Sequence, residues 1–169
     1  MTIKVGDRLP AGNLSEFIEV ETAGCTLGPN DFKVDDLTRG KKVVLFGLPG
    51  AFTPTCHKNH LPGFIVSEAA FKAKGVEKIA MTSVNDHFVL AAWSEATGAK
   101  GHIDFLADGA GAFAKALGLE LDASAGGLGV RSKRYSMLVV DGVVKQLNIE
   151  PEPGKADSSS AEHLLGQIK

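Results

Sequence analysis

Two apolar runs constrain this chain more than any other feature. Lys42-Val43-Val44-Leu45-Phe46-Gly47 and Val76 to Ser83 each carry a continuous stretch of apolar, partly β-branched residues. Strands of that kind are buried on both faces. Between them, Thr53-Pro54 signals a helix start: threonine is a good N-cap, and proline fits the first helical position, where its missing N–H costs nothing. Pro62-Gly63 must kink or stop that helix. Phe64 to Lys74 resumes it and Gly75 closes it. Asn85-Asp86 offers a cap for a helix over Phe88 to Thr97. Ile103 to Leu106 suits a short strand and Ala112 to Leu117 a short helix. Tyr135 to Val140 and Val143 to Ile149 flank Asp141-Gly142, a strong hairpin signal. Ser158-Ser159-Ser160 precedes a last helix through Leu164 and Ile168. The first 40 residues or so read as irregular structure with short strands, Ser15 to Glu21 among them. The order of elements predicts an α/β fold, a central mixed β-sheet flanked by helices.

A chain of 169 residues is expected to form a single domain spanning 1–169, since domains run ~100–200 residues. At that size about 70% of the open chain's surface can be buried, so no disulfide staples are needed. The formal charge of −2 excludes a nucleic-acid binder held by bulk charge. No apolar run approaches the ~20 residues that span a bilayer. The start, Met1 to Asp7, lacks an apolar signal core, so a cytoplasmic, reducing setting is expected. Gly109-Ala110-Gly111 mimics a dinucleotide fingerprint, but the acid expected ~20 residues later is missing. A turn feeding a short helix is the better reading. Cys25 and Cys56 are too far apart for a local zinc hook, and His57 and His60 lack companions for a metal site.

Cys56 falls in the first turn of the predicted helix, where backbone N–H groups have no intrahelical partner. A thiolate is favoured over a thiol there. A cysteine in that place can equally be a small apolar residue facing the core. Acidity alone would not make a fast nucleophile, because nucleophilicity falls with acidity with a slope of ~0.4–0.5. Speed needs groups that hold the other reactant and stabilise developing charge. The Thr53 hydroxyl, local N–H groups and a distant arginine are the candidates.

The surrounding string settles the choice. Pro49-Gly50-Ala51-Phe52-Thr53-Pro54-Thr55-Cys56 resembles the active-site loop of the peroxiredoxins, Pro-x-x-x-Thr-x-x-Cys. Leu61-Pro62-Gly63-Phe64 makes it similar to their type II, peroxiredoxin-5-like subfamily. Lys4-Val5-Gly6-Asp7 with Pro10, Gly40-Lys41-Lys42, Ser83-Val84-Asn85-Asp86, Lys133-Arg134-Tyr135-Ser136-Met137 and Leu147-Asn148-Ile149-Glu150-Pro151 extend the resemblance over essentially the whole chain. It implies a thioredoxin-like fold and a thiol peroxidase that reduces hydrogen peroxide and alkyl hydroperoxides. Cys56 would be the nucleophile, oxidised to a sulfenic acid. Thr53 would donate and accept hydrogen bonds to thiolate and peroxide. Arg134 would polarise sulfur and leaving oxygen, and Pro49 would shield the thiolate. No cofactor, metal, nucleic acid or membrane is implied.

The departures matter too. Relatives with an internal resolving cysteine carry it where this chain has Met81 or Ser158. The implied reductant is therefore an external thiol: glutathione, glutaredoxin or thioredoxin. A Cys25–Cys56 disulfide is an alternative, as is a peroxide sensor or holdase. His60 could act electrostatically beside the thiolate, but a plain structural role is the better reading. Arg131 and Lys133 could face solvent or attract anionic glutathione. The resemblance also implies a homodimer, with Phe52 at the pocket rim as a contact.

Overall fold

The structure, a computed structural model, describes residues 1–20 and 26–169; of residues 18–20 and 26–28 only the backbone is described. Cys25, and with it any Cys25–Cys56 pairing, lies outside the described residues. The strands are β1 (Asn13–Val20), β2 (Thr26–Lys33), β3 (Lys42–Gly47), β4 (Lys78–Ser83), β5 (Asp104–Ala107), β6 (Glu120–Asp122), β7 (Val130–Ser132), β8 (Tyr135–Val140) and β9 (Val143–Ile149). The helices are α1 (Val34–Thr38), α2 (Leu61–Val66), α3 (Glu68–Ala73), α4 (His87–Thr97), α5 (Ala112–Leu117) and α6 (Ala161–Gln167). Seven strands form one mixed sheet in the order β2-β1-β5-β4-β3-β8-β9, and β6 and β7 pair separately. β3, β4 and β5 run parallel, while β8 runs antiparallel to β3 and to β9.

Both faces of this sheet are covered, which explains the unbroken apolar runs. Val44, Phe46, Ile79, Met81 and Phe105 pack on one side with Phe64, Phe71, Trp93 and Leu164. Leu45, Ala80, Leu106, Met137 and Val139 pack on the other with Val34, Phe113 and Leu117. Neighbouring residues on a strand point to opposite faces, so each run feeds two cores. The Asp141-Gly142 turn has φ of 49° and 76° at its two central residues, the left-handed pair that a two-residue hairpin requires.

Several elements differ from the sequence reading. The first 40 residues hold an eight-residue antiparallel pair, Asn13 opposite Lys33 through Val20 opposite Thr26, followed by α1. The helix that begins at Pro54 does not break at Pro62-Gly63. Instead its turn over Cys56–His60 widens to π form, with the Leu61 N–H on the Cys56 carbonyl. Pro62 has no N–H to return to the Lys58 carbonyl, and the wide turn just before it lets the helix continue through the proline. The break comes later, at Ser67. The Gly109 to Ala114 stretch is the expected turn into a helix. Asp108 accepts the Phe113 and Ala114 N–H groups at 3.0 and 2.8 Å.

Candidate active site

Strand direction gathers the predicted residues at one edge of the sheet. β3 and β4 are parallel and end together, so the Leu48–Cys56 segment and Asn85 emerge side by side. β8 is antiparallel, with Tyr135 opposite Gly47, so Arg134 starts where β3 stops. β9 ends at the same edge, with Ile149 opposite Tyr135, and the Glu150 N–H donates to the Arg134 carbonyl at 2.9 Å.

Cys56 is the third residue of the helix, as predicted, and is fully buried. Arg134 is 2% exposed, and its Nη2 donates to the Cys56 Sγ at 3.2 Å and to the Pro153 carbonyl at 3.1 Å. A buried guanidinium keeps its proton and favours an anion beside it. Nη1 lies 3.1 Å from the Nδ1 of His60, and the Nε2 of His60 lies 3.1 Å from the Ser159 carbonyl. A carbonyl can only accept, so Nε2 carries the imidazole proton and Nδ1 accepts from Arg134. Burial first, and the adjacent Arg134 charge second, push the His60 pKa down to about 3. His60 is thus neutral near pH 7. Its place is structural: it holds the arginine against the Ser159 carbonyl. Arg134 Nε is buried without a hydrogen-bond partner among the described residues.

The turn before the helix is held from several sides. Pro49 and Gly50 are buried. Arg131 Nη1 donates to the Pro49 carbonyl at 3.3 Å and its Nε to the Leu128 carbonyl at 2.9 Å, so Arg131 braces this turn rather than standing free in solvent. A Cβ at Gly50 would sit 2.8 Å from that Nη1, which is why the bare glycine suits the position. The Ala51 N–H donates to Asn85 Oδ1 at 3.0 Å, and that oxygen also accepts from Ser83 Oγ at 2.6 Å. The expected Asn85-Asp86 cap is carried by Asp86, which accepts from the Val89 N–H at 2.9 Å. Thr53 stands at the start of the helix, its carbonyl accepting the His57 N–H at 2.9 Å. Its hydroxyl does not cap; it donates to the Gly50 carbonyl at 2.8 Å. With its proton directed to the Gly50 carbonyl, the hydroxyl keeps lone pairs with which to accept a hydrogen bond from a ligand.

Phe52 has a φ of 62°, a left-handed conformation that costs a non-glycine residue of order 1–3 kcal/mol and persists only where neighbours impose it. The Ala51 and Thr53 hydrogen bonds impose it. The turn pushes the Phe52 ring outward, 52% exposed, against the His57 ring at 6.0 Å. Trp93 Nε1 donates to His57 Nδ1 at 2.9 Å, so His57 faces the rim of the site.

A buried cysteine facing an arginine across a Pro-x-x-x-Thr-x-x-Cys turn can now be set beside known proteins. Residues 4–165 match the Redoxin family model. Peroxiredoxin-2C of Oryza sativa subsp. japonica is 48% identical over 163 residues, which is 96% of each chain. This chain belongs to the peroxiredoxins. Peroxiredoxin-2B of Arabidopsis thaliana is 45% identical, with 96% of each chain covered. The crystal structure of reduced Prx3 in complex with H2O2 from Vibrio vulnificus superposes with a TM-score of 0.89 at 48% identity, covering 99% of this chain and 100% of that one. That of peroxiredoxin 5 from Alvinella pompejana gives 0.83 at 35% identity, covering 98% and 97%. These relatives place the chain in the type II branch, confirm the thioredoxin-like fold, and make it a thiol peroxidase. It uses peroxide as substrate and a thiol of the thioredoxin family as reductant.

In this peroxiredoxin, Met81 is buried in the sheet's core and Ser158 lies in the 151–159 loop. Lys133 is exposed. Among the described residues, no group of three or more His, Cys, Asp or Glu side chains could hold a metal ion, and no helix is long and apolar enough to cross a membrane. Sequence reasoning missed His60 as the partner of Arg134. It also missed Glu150, whose carboxylate is 6% exposed. Its presence in the Leu147–Pro151 string was the only signal.

Proposed function

We propose that Cys56 is the peroxidatic nucleophile and that Arg134, Thr53 and Pro49 complete its site. The observation that carries this reading is the Nη2–Sγ contact of 3.2 Å between two residues that are both buried. The thiolate attacks the hydroxyl oxygen of the peroxide. An S–O bond forms, the O–O bond breaks, and Cys56 becomes a sulfenic acid while the other oxygen leaves as an alkoxide or hydroxide. That oxygen takes a proton from solvent and departs as alcohol or water. Thr53 accepts a hydrogen bond from the peroxide O–H, which orients the attacked oxygen. The unpartnered Nε–H of Arg134 donates to the leaving oxygen, a stabilisation that grows as charge develops. Neutral His60 leaves the full guanidinium charge to these two tasks. Pro49 closes the site to bulk water, which strengthens each of these interactions.

An external thiol, glutathione with glutaredoxin or else thioredoxin, would reduce the sulfenic acid, because neither Met81 nor Ser158 can resolve it. The setting proposed is a reducing compartment such as the cytoplasm. A homodimer is favoured by exposed apolar residues at the turn and beside the Arg131 that braces it: Phe52, Leu128 and Val130. A rim of this kind marks an interaction face. The test of the reading is peroxide consumption with each reductant, in wild type and Cys56→Ser. Turnover should vanish in the variant; retained turnover would remove Cys56 from the chemistry.

A further inference from the structure

Glu150 is a carboxylate buried at the active-site edge of the sheet, and no Lys or Arg among the described residues forms an ion pair with it. Burying a charge without a counter-ion is unfavourable. Hydrogen bonds offset that cost here. Its Oε2 accepts from the Asp157 N–H at 3.0 Å, the Ser159 N–H at 3.0 Å and the Ser159 Oγ at 2.8 Å. Burial pushes its pKa up, but the Ser159 and Asp157 donors outweigh burial, and the carboxyl stays below its ordinary range. The 151–159 loop is thereby folded back onto the end of β9.

That fold aims the loop at Arg134 twice. Pro153 presents its carbonyl directly to Nη2. Ser159 presents its carbonyl to His60 Nε2, which fixes the tautomer whose bare Nδ1 receives Nη1. The main-chain bond from Glu150 to Arg134 ties the two ends of this circuit together. Thr55 adds a further strap, its hydroxyl donating to the Gly154 carbonyl at 3.0 Å.

We propose that Glu150 is a positioning residue for the peroxidase reaction, setting the Arg134 guanidinium against Cys56 through Ser159 and His60. The proposal rests on the reading of Cys56 as the nucleophile. Without the Glu150 acceptor, Ser159 loses two fixed donors' worth of anchoring and its carbonyl leaves His60. The imidazole is then free to turn, and the guanidinium loses the acceptor that steers its Nη1. Small misplacements of a group that stabilises a transition state are expensive in rate.

The experiment uses the full chain with Glu150→Ala, Glu150→Gln, Glu150→Asp, His60→Leu and the double variant Glu150→Ala/His60→Leu. Two rates are measured: kcat/KM for hydrogen peroxide, and alkylation of Cys56 by iodoacetamide at pH 7. Glu150→Ala should lower both by about ten-fold or more. Glu150→Gln keeps an oxygen acceptor in place and should stay within about three-fold of wild type. Glu150→Asp keeps the charge but withdraws the acceptor by one methylene, and should be slower than Glu150→Gln; this pair decides the matter if Glu150→Ala does not fold. The double variant should be no slower than His60→Leu alone, since both act through one arginine. A purely structural Glu150 would lower the melting temperature and leave both rates within about two-fold, which would overturn the proposal. Multiplying effects in the double variant, or Glu150→Asp matching wild type, would also overturn it. Alkylation requires no peroxide, so the two readings fail differently. If Cys56 is not the peroxidatic residue, wild-type turnover survives Cys56→Ser; if only the relay is wrong, wild-type turnover depends on Cys56 while the variants match wild type.

Discussion

Replacing His60 with glutamine should flatten the acid side of the stability profile. His60 is 1% exposed and titrates near 3, against an ordinary value of 6.5. An unfolded chain takes up a proton at this histidine as pH falls below 6.5, and the folded chain refuses it until about 3. The contribution to stability is therefore full above pH 6.5 and drains away as pH falls through that interval. One proton gives a slope of ~1.4 kcal/mol per pH unit, and the whole interval gives about 5 kcal/mol at most. Local opening that admits water to the imidazole would reduce the total. Glu16 works against this slope. Burial first, and then the nearby Asp104, raise its carboxyl from 4.5 to about 7. Folding then favours its protonated form, a contribution that is full below 4.5 and is lost as pH rises through 7. The wild-type profile alone therefore mixes two opposite slopes between 4.5 and 6.5, and only the difference between wild type and His60→Gln isolates the histidine. Glutamine can still accept from Arg134 and donate to Ser159, so the fold and peroxidase rate should survive. Urea unfolding at pH steps from 4 to 8 should give a difference curve that is flat above 7 and falls by up to ~1.4 kcal/mol per unit below 6. Parallel curves over the whole range would show that His60 is protonated within the fold, and the neutral-acceptor role would be lost.

Other consequences are simpler to read. Arg134→Gln removes the charge beside the sulfur and should lower kcat/KM for peroxide by ~10²–10³-fold, the scale for losing one oxyanion-stabilising donor; a change under three-fold in stopped-flow assays would contradict the site. Gly47→Ala would place a Cβ 2.2 Å from the Tyr135 ring and should cost ~1–3 kcal/mol or more in urea unfolding, because both partners are held in the sheet; an unchanged midpoint would mean that Tyr135 packs elsewhere. Phe52→Glu puts a charge on the exposed rim and should shift sedimentation toward monomer, whereas an unchanged sedimentation coefficient would remove this rim from the dimer contact.

Parts of the fold were legible because local chemistry and global pairing agree. The β8–β9 hairpin followed from Asp141-Gly142, and α5 stands where it was read, over Ala112–Leu117, between the left-handed Gly111 and Gly118. The β1–β2 pair was not legible. Gly28-Pro29 and Asn30-Asp31 in β2 carry no strand signal of their own, and pairing along β1 decides the matter. β6 and β7 are three residues each, too short for periodicity to register. At the site, helix position singled out Cys56 and the neighbouring Thr53 hydroxyl, while Arg134 and Pro49 entered by resemblance. His60 pointed the reading to its sequence neighbour Cys56, yet the π turn and the 151–159 loop direct it to Arg134. Glu150 acts across nine residues of loop, and no local pattern encodes that reach.

The central claim is that one sulfur, Cys56, meets the peroxide. Stopped-flow mixing of the reduced protein with one equivalent of hydrogen peroxide, quenched with a sulfenic-acid trap and followed by peptide mass spectrometry, tests it most directly. A single oxygen captured on Cys56, formed as fast as the peroxide disappears, is the predicted result. Peroxide loss with Cys56 left as free thiol, or oxygen found first on a methionine, would contradict it.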